Sequence, residues 1–137
     1  MIFSGFKKCC YPMQKFGSDS ERLFSIVIEN DGEVLKWVKP APGQFRIEHQ
    51  PGKGYDPDFV VETATEKWIC EPKKAGEMAD EVVQSKARSA VRWCRHASEF
   101  ASKSGGRPWK YALIPHDHID TNMSFGYLAN GHQILAG

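Results

Sequence analysis

The chain has 137 residues, 41% of them hydrophobic, and a net charge of +1. This length suits one domain with a single core, and the near-neutral charge gives no sign of a protein that binds nucleic acid over its whole surface. No run of 18 or more apolar residues occurs, so we expect no membrane partner, and the first residues lack the apolar region of a signal peptide. The four cysteines lack the paired spacing of a zinc site, which predicts reduced thiols in a cytoplasmic protein.

The first predicted element is a helix. Residues 1–17 have no clear period and are predicted as a lead-in segment to a core of residues 18–116. Ser18 and Glu21 have the spacing of a capping box, in which each side chain satisfies a backbone N–H at a helix start. An apolar stripe at helical spacing follows, and the helix is expected to end at Asn30-Asp31-Gly32.

Short apolar runs separated by turn residues follow this helix. They predict four strands, at Val34–Val38, Phe45–Glu48, Asp58–Glu62 and Lys67–Glu71. Proline and glycine are concentrated between the first three runs, which is typical of tight connections. We therefore expect a meander of neighbouring strands.

The last third of the chain predicts a long helix and a fifth strand. A stripe of small residues at intervals of three and four favours a helix from about Gly76 to Ser102. Trp109–Pro115 then has the composition of a strand, and residues 117–137 are expected to form a C-terminal extension. The element order predicts an α/β fold for residues 1–137, a three-layer α/β/α sandwich with a mixed central sheet.

Two carboxylates and a lysine stand at the ends of two predicted strands. Asp58 opens one strand, Glu71 ends the next, and Lys73 follows two residues later on the same face. A carboxylate in a buried strand is costly unless a positive charge compensates it, and a divalent cation would do so. Asp58 and Glu71 would hold Mg²⁺, while Lys73 orients a water or stabilises negative charge on a phosphate. The pattern predicts hydrolysis of phosphodiester bonds.

The motif formed by Pro57-Asp58 and Glu71-Pro72-Lys73 resembles that of the PD-(D/E)xK nuclease superfamily. Over residues 5–128 the chain also resembles the C-terminal nuclease region of helicase-nuclease polypeptides such as the restriction subunit of type III restriction enzymes. The segments that carry this wider resemblance are Gly5-Phe6-Lys7-Lys8-Cys9-Cys10-Tyr11-Pro12, Ser18-Asp19-Ser20-Glu21-Arg22, Val34-Leu35-Lys36-Trp37, Tyr55-Asp56-Pro57-Asp58-Phe59-Val60-Val61-Glu62-Thr63, Trp93-Cys94 and Trp109-Lys110-Tyr111-Ala112-Leu113-Ile114-Pro115-His116.

The resemblance implies a restriction-endonuclease-like fold and a DNA endonuclease that uses Mg²⁺, with Mn²⁺ as a substitute. Its partners would be DNA, a helicase or ATPase domain or a modification subunit, and a second copy in a homodimer for double-strand cleavage. The chain lacks the Gly-x-x-x-x-Gly-Lys-Ser/Thr loop of such a motor, so we expect a fragment, an excised domain or a freestanding relative. Glu21 matches the helix position that often completes the metal site in the superfamily; the alternative role of its carboxylate is the capping box.

Three lysines are candidates for contact with DNA. Lys74 adjoins the proposed site, Lys53 lies on the glycine-rich turn before Asp58, and Lys86 lies on the inner side of the long helix. Lys86 has an alternative role as an amphipathic side chain at the rim of the core.

Two other functions compete with cleavage. Residues 82–110 carry a net charge of +6, so the domain could be a catalytically inactive DNA-binding or helicase-docking module with the same fold. Two carboxylates could also act as acid and base on a glycoside, although the adjacent Lys73 and the absence of a sugar-binding aromatic pattern disfavour that chemistry. His116-Asp117-His118 after the fifth strand is expected to be a solvated or capping loop, since no second histidine cluster is in place to complete a metal site.

Overall fold

The structure is a computed structural model that describes residues 2–4, 6–9, 13–16 and 18–135. Short 3-10 helices occupy Ala75–Glu77 and His116–His118. The strands and α-helices, in chain order, are β1 (Ile2–Ser4), β2 (Met13–Lys15), α1 (Asp19–Asn30), β3 (Val34–Val38), β4 (Ile47–Gln50), β5 (Lys53–Tyr55), β6 (Phe59–Thr63), β7 (Lys67–Lys73), α2 (Glu81–Ser102), β8 (Trp109–Pro115) and α3 (Phe125–Gly131).

Four strands form the central sheet in the order β3-β6-β7-β8. The β3–β6 and β6–β7 pairs are antiparallel, whereas β7 and β8 are parallel. A parallel pair needs a long crossover, and α2 provides it. The predicted α/β class with a mixed sheet is confirmed. None of the helices in the described part of the chain is long and apolar enough to cross a membrane.

The predicted meander is wrong at its second strand. That strand lies at Ile47–Gln50 and pairs with Lys53–Tyr55 in a separate antiparallel hairpin, so β3 pairs directly with β6. Gly52 has a φ of +76°, which permits the tight turn between the two short strands. Ile47 and Tyr55 are the buried residues of this hairpin, and they pack with α2 rather than within the central sheet.

Alternate residues of the central strands face two separate apolar clusters. Trp68 and Cys70 on β7 pack with side chains of α1 and α3. Ile69 on β7 and Tyr111 on β8 pack with α2 and the β4–β5 hairpin. Helices therefore cover both faces of the sheet, as the strand period of two requires.

The segment after residue 116, predicted as an extension, contributes to the same core. Phe125 and Leu128 of α3 are buried in the cluster that α1 also joins. The backbone N–H of Phe125 donates to the Asp31 carboxylate, which ties α3 to the end of α1. Gln133 forms a bridge to Ala112 and so covers part of the outer edge of β8. The lead-in segment, for which the sequence predicts no element, contains β1 and β2, which pair antiparallel.

Side chains fix where the two longer helices begin. Ser18 caps α1 by accepting the N–H of Glu21 at 3.3 Å. Asp80 caps α2 by accepting the N–H groups of Val82 and Val83, so this helix begins at Glu81 and not at the predicted Gly76. The N–H groups of the first turn have no partner within the helix. The Asp80 side chain accepts from them, which explains why the helix starts later than predicted.

Phe59 anchors the strand that follows Asp58. Its ring is fully buried and contacts the rings of Phe24 and Trp37. We expect Phe59→Ala to lower the free energy of unfolding by about 3–5 kcal/mol, since it removes a large buried side chain from the cluster. The matched Leu35→Ala change, at a side chain that is 55% exposed, should cost less than about 0.5 kcal/mol. Urea unfolding measures both, and similar losses for the two variants would contradict this assignment of the core.

Candidate active site

One edge of the central sheet gathers a charged or titratable side chain from each of its four strands. Lys39 follows β3, Asp58 precedes β6, Lys73 ends β7 and His116 follows β8. The arrangement follows from strand direction, because β6 begins beside the ends of its antiparallel neighbours β3 and β7. The parallel strand β8 ends beside β7, with Pro115 in register with Lys73.

A cleft of about 320 Å³ opens at this edge. The first turn of α1 forms one wall, through residues that include Glu21. The end of β7 forms the other, and Pro72, Lys73, Lys74 and His116 line it. The cleft therefore brings Lys73 of the predicted catalytic set together with Glu21 and Lys74, which the sequence predicts as metal-binding and DNA-binding residues.

Asp58 and Lys73 form an ion pair, with Nζ 3.4 Å from Oδ2. Burial raises the pKa of Asp58; Lys73 opposes that shift, and the charge of Glu21 adds to it. Burial alone would lower the pKa of Lys73, but the charges of Asp58 and Glu71 outweigh it, so the pKa lies above its ordinary value. Lys73 is therefore an ammonium group at neutral pH and not a free base.

Glu71 is buried, with 2% of its surface exposed. Its Oε1 accepts hydrogen bonds from the hydroxyls of Tyr55 at 2.9 Å and Tyr111 at 3.0 Å. Burial and the charge of Asp58 raise the pKa of Glu71 to about 7, although Lys73 and the two tyrosine hydrogen bonds oppose the shift. Neither tyrosine bond uses Oε2.

The Tyr55 hydroxyl lies between the Glu71 carboxylate and a backbone carbonyl. This hydroxyl also lies 3.2 Å from the backbone carbonyl of Lys86, so its single proton faces two acceptors. The contact with Glu71 is the shorter of the two, and as a donor to Glu71 the hydroxyl stabilises the charged carboxylate, so it opposes the rise in the pKa of Glu71.

The structure shows one half of the predicted capping box at Glu21. Its backbone N–H binds the Ser18 hydroxyl, which makes the helix cap. Its carboxylate instead pairs with Lys39 and lies 3.4 Å from the Ser18 hydroxyl. The negative charge of Glu21 contributes to the raised pKa of Asp58, so the carboxylate acts on the site electrostatically.

The three lysines predicted to contact DNA lie in different surroundings. Lys74 is exposed and lines the cleft. Lys53 is exposed at the turn of the β4–β5 hairpin, away from the residues that line the cleft. The Nζ of Lys86 lies 5.5 Å from the centre of the Tyr55 ring, which fits a side chain at the rim of the core.

Much of the positive charge of residues 82–110 is compensated within the fold. Glu81, Glu62 and Glu66 lie outside this segment and bring negative charge to it. The ion pairs are Arg88 with Glu81, Arg107 with Glu62, and Lys110 with Glu66. The net charge of +6 therefore overstates the free positive charge that this segment offers to DNA.

The two buried cysteines are unsuited to act as nucleophiles. Cys70 is fully buried on the face of β7 opposite Glu71, and burial raises the pKa of its thiol. Burial likewise raises the pKa of Cys94 to about 12. Both are therefore protonated thiols at neutral pH, and neither forms a disulfide; Cys10 lies outside the described residues.

Within the part of the chain that the structure describes, no group of three or more His, Cys, Asp or Glu side chains is close enough to hold a metal ion. A metal site here would therefore have to combine one or two carboxylates with other oxygens. Mg²⁺ accepts that arrangement, because it binds through one or two carboxylates and retains several waters.

Several residues at the site are absent from the sequence prediction. Lys39, Tyr55 and Tyr111 reach the site through tertiary packing, and none has a motif of its own. The sequence predicts a solvated or capping loop at His116, but this residue begins a 3-10 helix, is half-buried and lines the cleft. Tyr55 carries the best available signal, since it lies three residues before Asp58 and is buried at the end of a glycine-containing hairpin.

No protein-family model matches the chain, and no curated protein is significantly similar to it. Any conclusion about function therefore depends on the geometry of the site. That geometry consists of the buried carboxylates, the paired ammonium group and the cleft that Lys73 lines.

The raised pKa of Glu71 predicts how stability depends on pH in metal-free solution. The carboxyl titrates near 4.5 when unfolded and near 7 when folded, so its stabilising protonation is complete below pH 4.5 and is lost as the pH rises through 7. Glu71→Gln retains an oxygen for the two tyrosines and removes the charge. We expect the variant to be more stable than the wild type at pH 8 by on the order of 2–3 kcal/mol. Urea unfolding with a chelator present measures this difference.

The difference should shrink toward pH 5, where Glu71 is already protonated in the folded wild type. Glu48→Gln is the matched control, because Glu48 is exposed on β4. A Glu71→Gln variant that is less stable than the wild type at pH 8 would contradict the raised pKa.

Proposed function

We propose that this domain is a Mg²⁺-dependent DNA endonuclease of the PD-(D/E)xK type, with a restriction-endonuclease-like arrangement of its mixed sheet. The observation that carries the proposal is the meeting of Asp58, Glu71 and Lys73 at one sheet edge, beside a cleft. The ion pair between Lys73 and Asp58, and the effect of the Asp58 charge on the pKa of Glu71, support this choice of residues.

The donor set fits a divalent cation of the magnesium type. Asp58, Glu71 and Glu21 bring three carboxylates to the site, against the ammonium groups of Lys39 and Lys73. The raised pKa values of Asp58 and Glu71 mean that the two lysines leave these carboxylates short of positive charge. Asp58 and Oε2 of Glu71 would hold Mg²⁺ or Mn²⁺, with waters and a backbone carbonyl near Pro72 as further oxygens, while Glu21, paired with Lys39, would act on the site through its charge. When bound, the cation would neutralise charge on a phosphate and lower the pKa of a water molecule.

Lys73 acts as a charged donor in this proposal. Its raised pKa keeps the ammonium group protonated, so it can donate to a phosphate oxygen or orient a water, but it does not accept a proton. Its partial exposure at the cleft would allow a substrate to approach.

The two tyrosines position Glu71. Their hydroxyls both bind Oε1, which fixes the plane of the carboxylate and directs Oε2 to a separate role. Two buried hydrogen-bond donors also favour the charged form, so they help Glu71 release its proton when a cation binds.

Lys74 is the best candidate for a contact with the DNA backbone, since it is exposed and borders the cleft beside Lys73. The resemblance to restriction subunits supports a helicase or ATPase partner for the domain. The alternative of a non-cleaving DNA-binding or docking module depends on the basic segment, and several charges of that segment are already paired.

Substitutions at the three central residues test the proposal. We expect Asp58→Asn, Glu71→Gln and Lys73→Met each to reduce Mg²⁺-dependent cleavage of plasmid DNA by at least about a hundredfold, since each removes a charge from the site. Matched controls are Glu99→Gln and Lys7→Met, which change exposed residues; Glu99 adjoins Ser98, which binds the start of β8 at the opposite edge of the sheet. Cleavage should stay at the wild-type rate in both.

Thermal unfolding with added Mg²⁺ or Mn²⁺ separates an enzyme from a binding module. The wild type should gain stability from either cation, and Asp58→Asn and Glu71→Gln should lose most of that gain. Full cleavage by purified Asp58→Asn protein would refute the proposed site. A wild type that binds DNA but gains no stability from either cation would support the non-cleaving module.

A further inference from the structure

His116 occupies a position at the site that neither the motif nor the proposed function uses. It is the first residue after β8, and the residue before it is in register with Lys73. It lines the same cleft as Glu21, Lys73 and Lys74. Each of the four central strands therefore presents one side chain at this edge, and His116 is the contribution of β8.

The two nitrogens of the His116 ring have different access. Nδ1 is closed to solvent and has no hydrogen-bond partner within the described ranges of the chain. Buried polar atoms without partners are uncommon in folded proteins, and each one calls for a physical explanation. Because Nδ1 is inaccessible, a ligand in the cleft can form a hydrogen bond only with Nε2.

The surroundings of Nδ1 also favour one tautomer. Buried N–H groups without an acceptor are rarer than under-satisfied acceptors, so a bare Nδ1 is preferred over Nδ1–H. A neutral imidazole with a bare Nδ1 carries its proton on Nε2. The ring then presents one neutral hydrogen-bond donor at the cleft.

We propose that His116 contacts the substrate by donating a hydrogen bond from Nε2–H to a phosphate oxygen of DNA in the cleft; the inference rests on the proposed function for its ligand. Lys73 and Lys74 supply positive charge beside it, whereas His116 supplies an oriented hydrogen bond without a positive charge. Such a donor fixes where the phosphodiester lies relative to Asp58 and Glu71.

A neutral donor and a lysine affect the salt dependence of binding differently. A lysine that neutralises a phosphate releases a counterion, so its removal lowers the salt slope of log affinity by about 1. Removal of a neutral donor weakens binding and leaves the slope unchanged. The salt slope therefore distinguishes His116 from Lys74.

The test measures the affinity of the full chain for a short DNA duplex at several salt concentrations, with Ca²⁺ in place of Mg²⁺ so that the duplex stays intact. We expect His116→Leu to weaken binding by about fivefold to tenfold at every salt concentration. His116→Gln places an amide N–H near the position of Nε2–H and should restore most of the affinity. Lys74→Met should reduce the slope, and His96→Leu, on the exposed surface of α2, should bind like the wild type. Melting temperatures near that of the wild type establish that each variant is folded.

Nitrogen NMR of the imidazole provides a readout that does not depend on binding. The inference predicts a protonated Nε2 and a bare Nδ1 in the free protein. It is overturned by a protonated Nδ1, by His116→Leu binding as tightly as the wild type, by a reduced salt slope in that variant, or by a wild type that does not bind the duplex. A wild type that binds as predicted but does not cleave with Mg²⁺ would refute the nuclease and leave the His116 contact standing.

Discussion

The burial of the Glu71 carboxylate, with Asp58 beside it, is the interaction on which the rest of the site depends. Two carboxylates in a poorly solvated place favour protonation, which is why the pKa values of both are raised. The neighbouring groups stabilise the charged forms of the two carboxylates in different ways: Lys73 pairs with Asp58, and the hydroxyls of Tyr55 and Tyr111 bind Glu71. The carboxylates still lack positive charge beside them, and a divalent cation would supply it. The same lack of positive charge limits the stability of the metal-free protein.

The topology of the sheet explains why these groups meet. The turn between β6 and β7 places the start of one strand beside the end of the next, which joins Asp58 to Lys73. The parallel crossover through α2 then brings the end of β8 to the same edge, and with it His116. Apolar clusters on both faces hold the strands in this register, so a loss of packing at Phe59 would also displace Asp58.

The sequence predicts the parts of this site that depend on local pattern. Strand alternation and turn residues identify the β6–β7 pair, and that pair brings Asp58 to Lys73. Local pattern does not predict the residues that bind Glu71 from distant parts of the chain. Tyr111 lies 40 positions from Glu71, and its strand, β8, reaches β7 only through the long α2 crossover. The sequence assigns β4 to the central sheet and places Lys53 of β5 in a turn, because the apolar run of β4 resembles that of any short strand. The short α3, of 7 residues, has too few turns to give a clear helical period.

Calorimetric titration of Mn²⁺ into the wild-type protein near pH 6.5, in two buffers that differ in ionisation enthalpy, measures whether the buried carboxylates bind a cation. If the buried carboxylates hold the cation, binding must displace the proton that Glu71 retains in metal-free solution. The account predicts one site per chain with a net release of up to about one proton, and loss of that release in Glu71→Gln. No binding, or binding whose proton release is the same in wild type and Glu71→Gln, would contradict it.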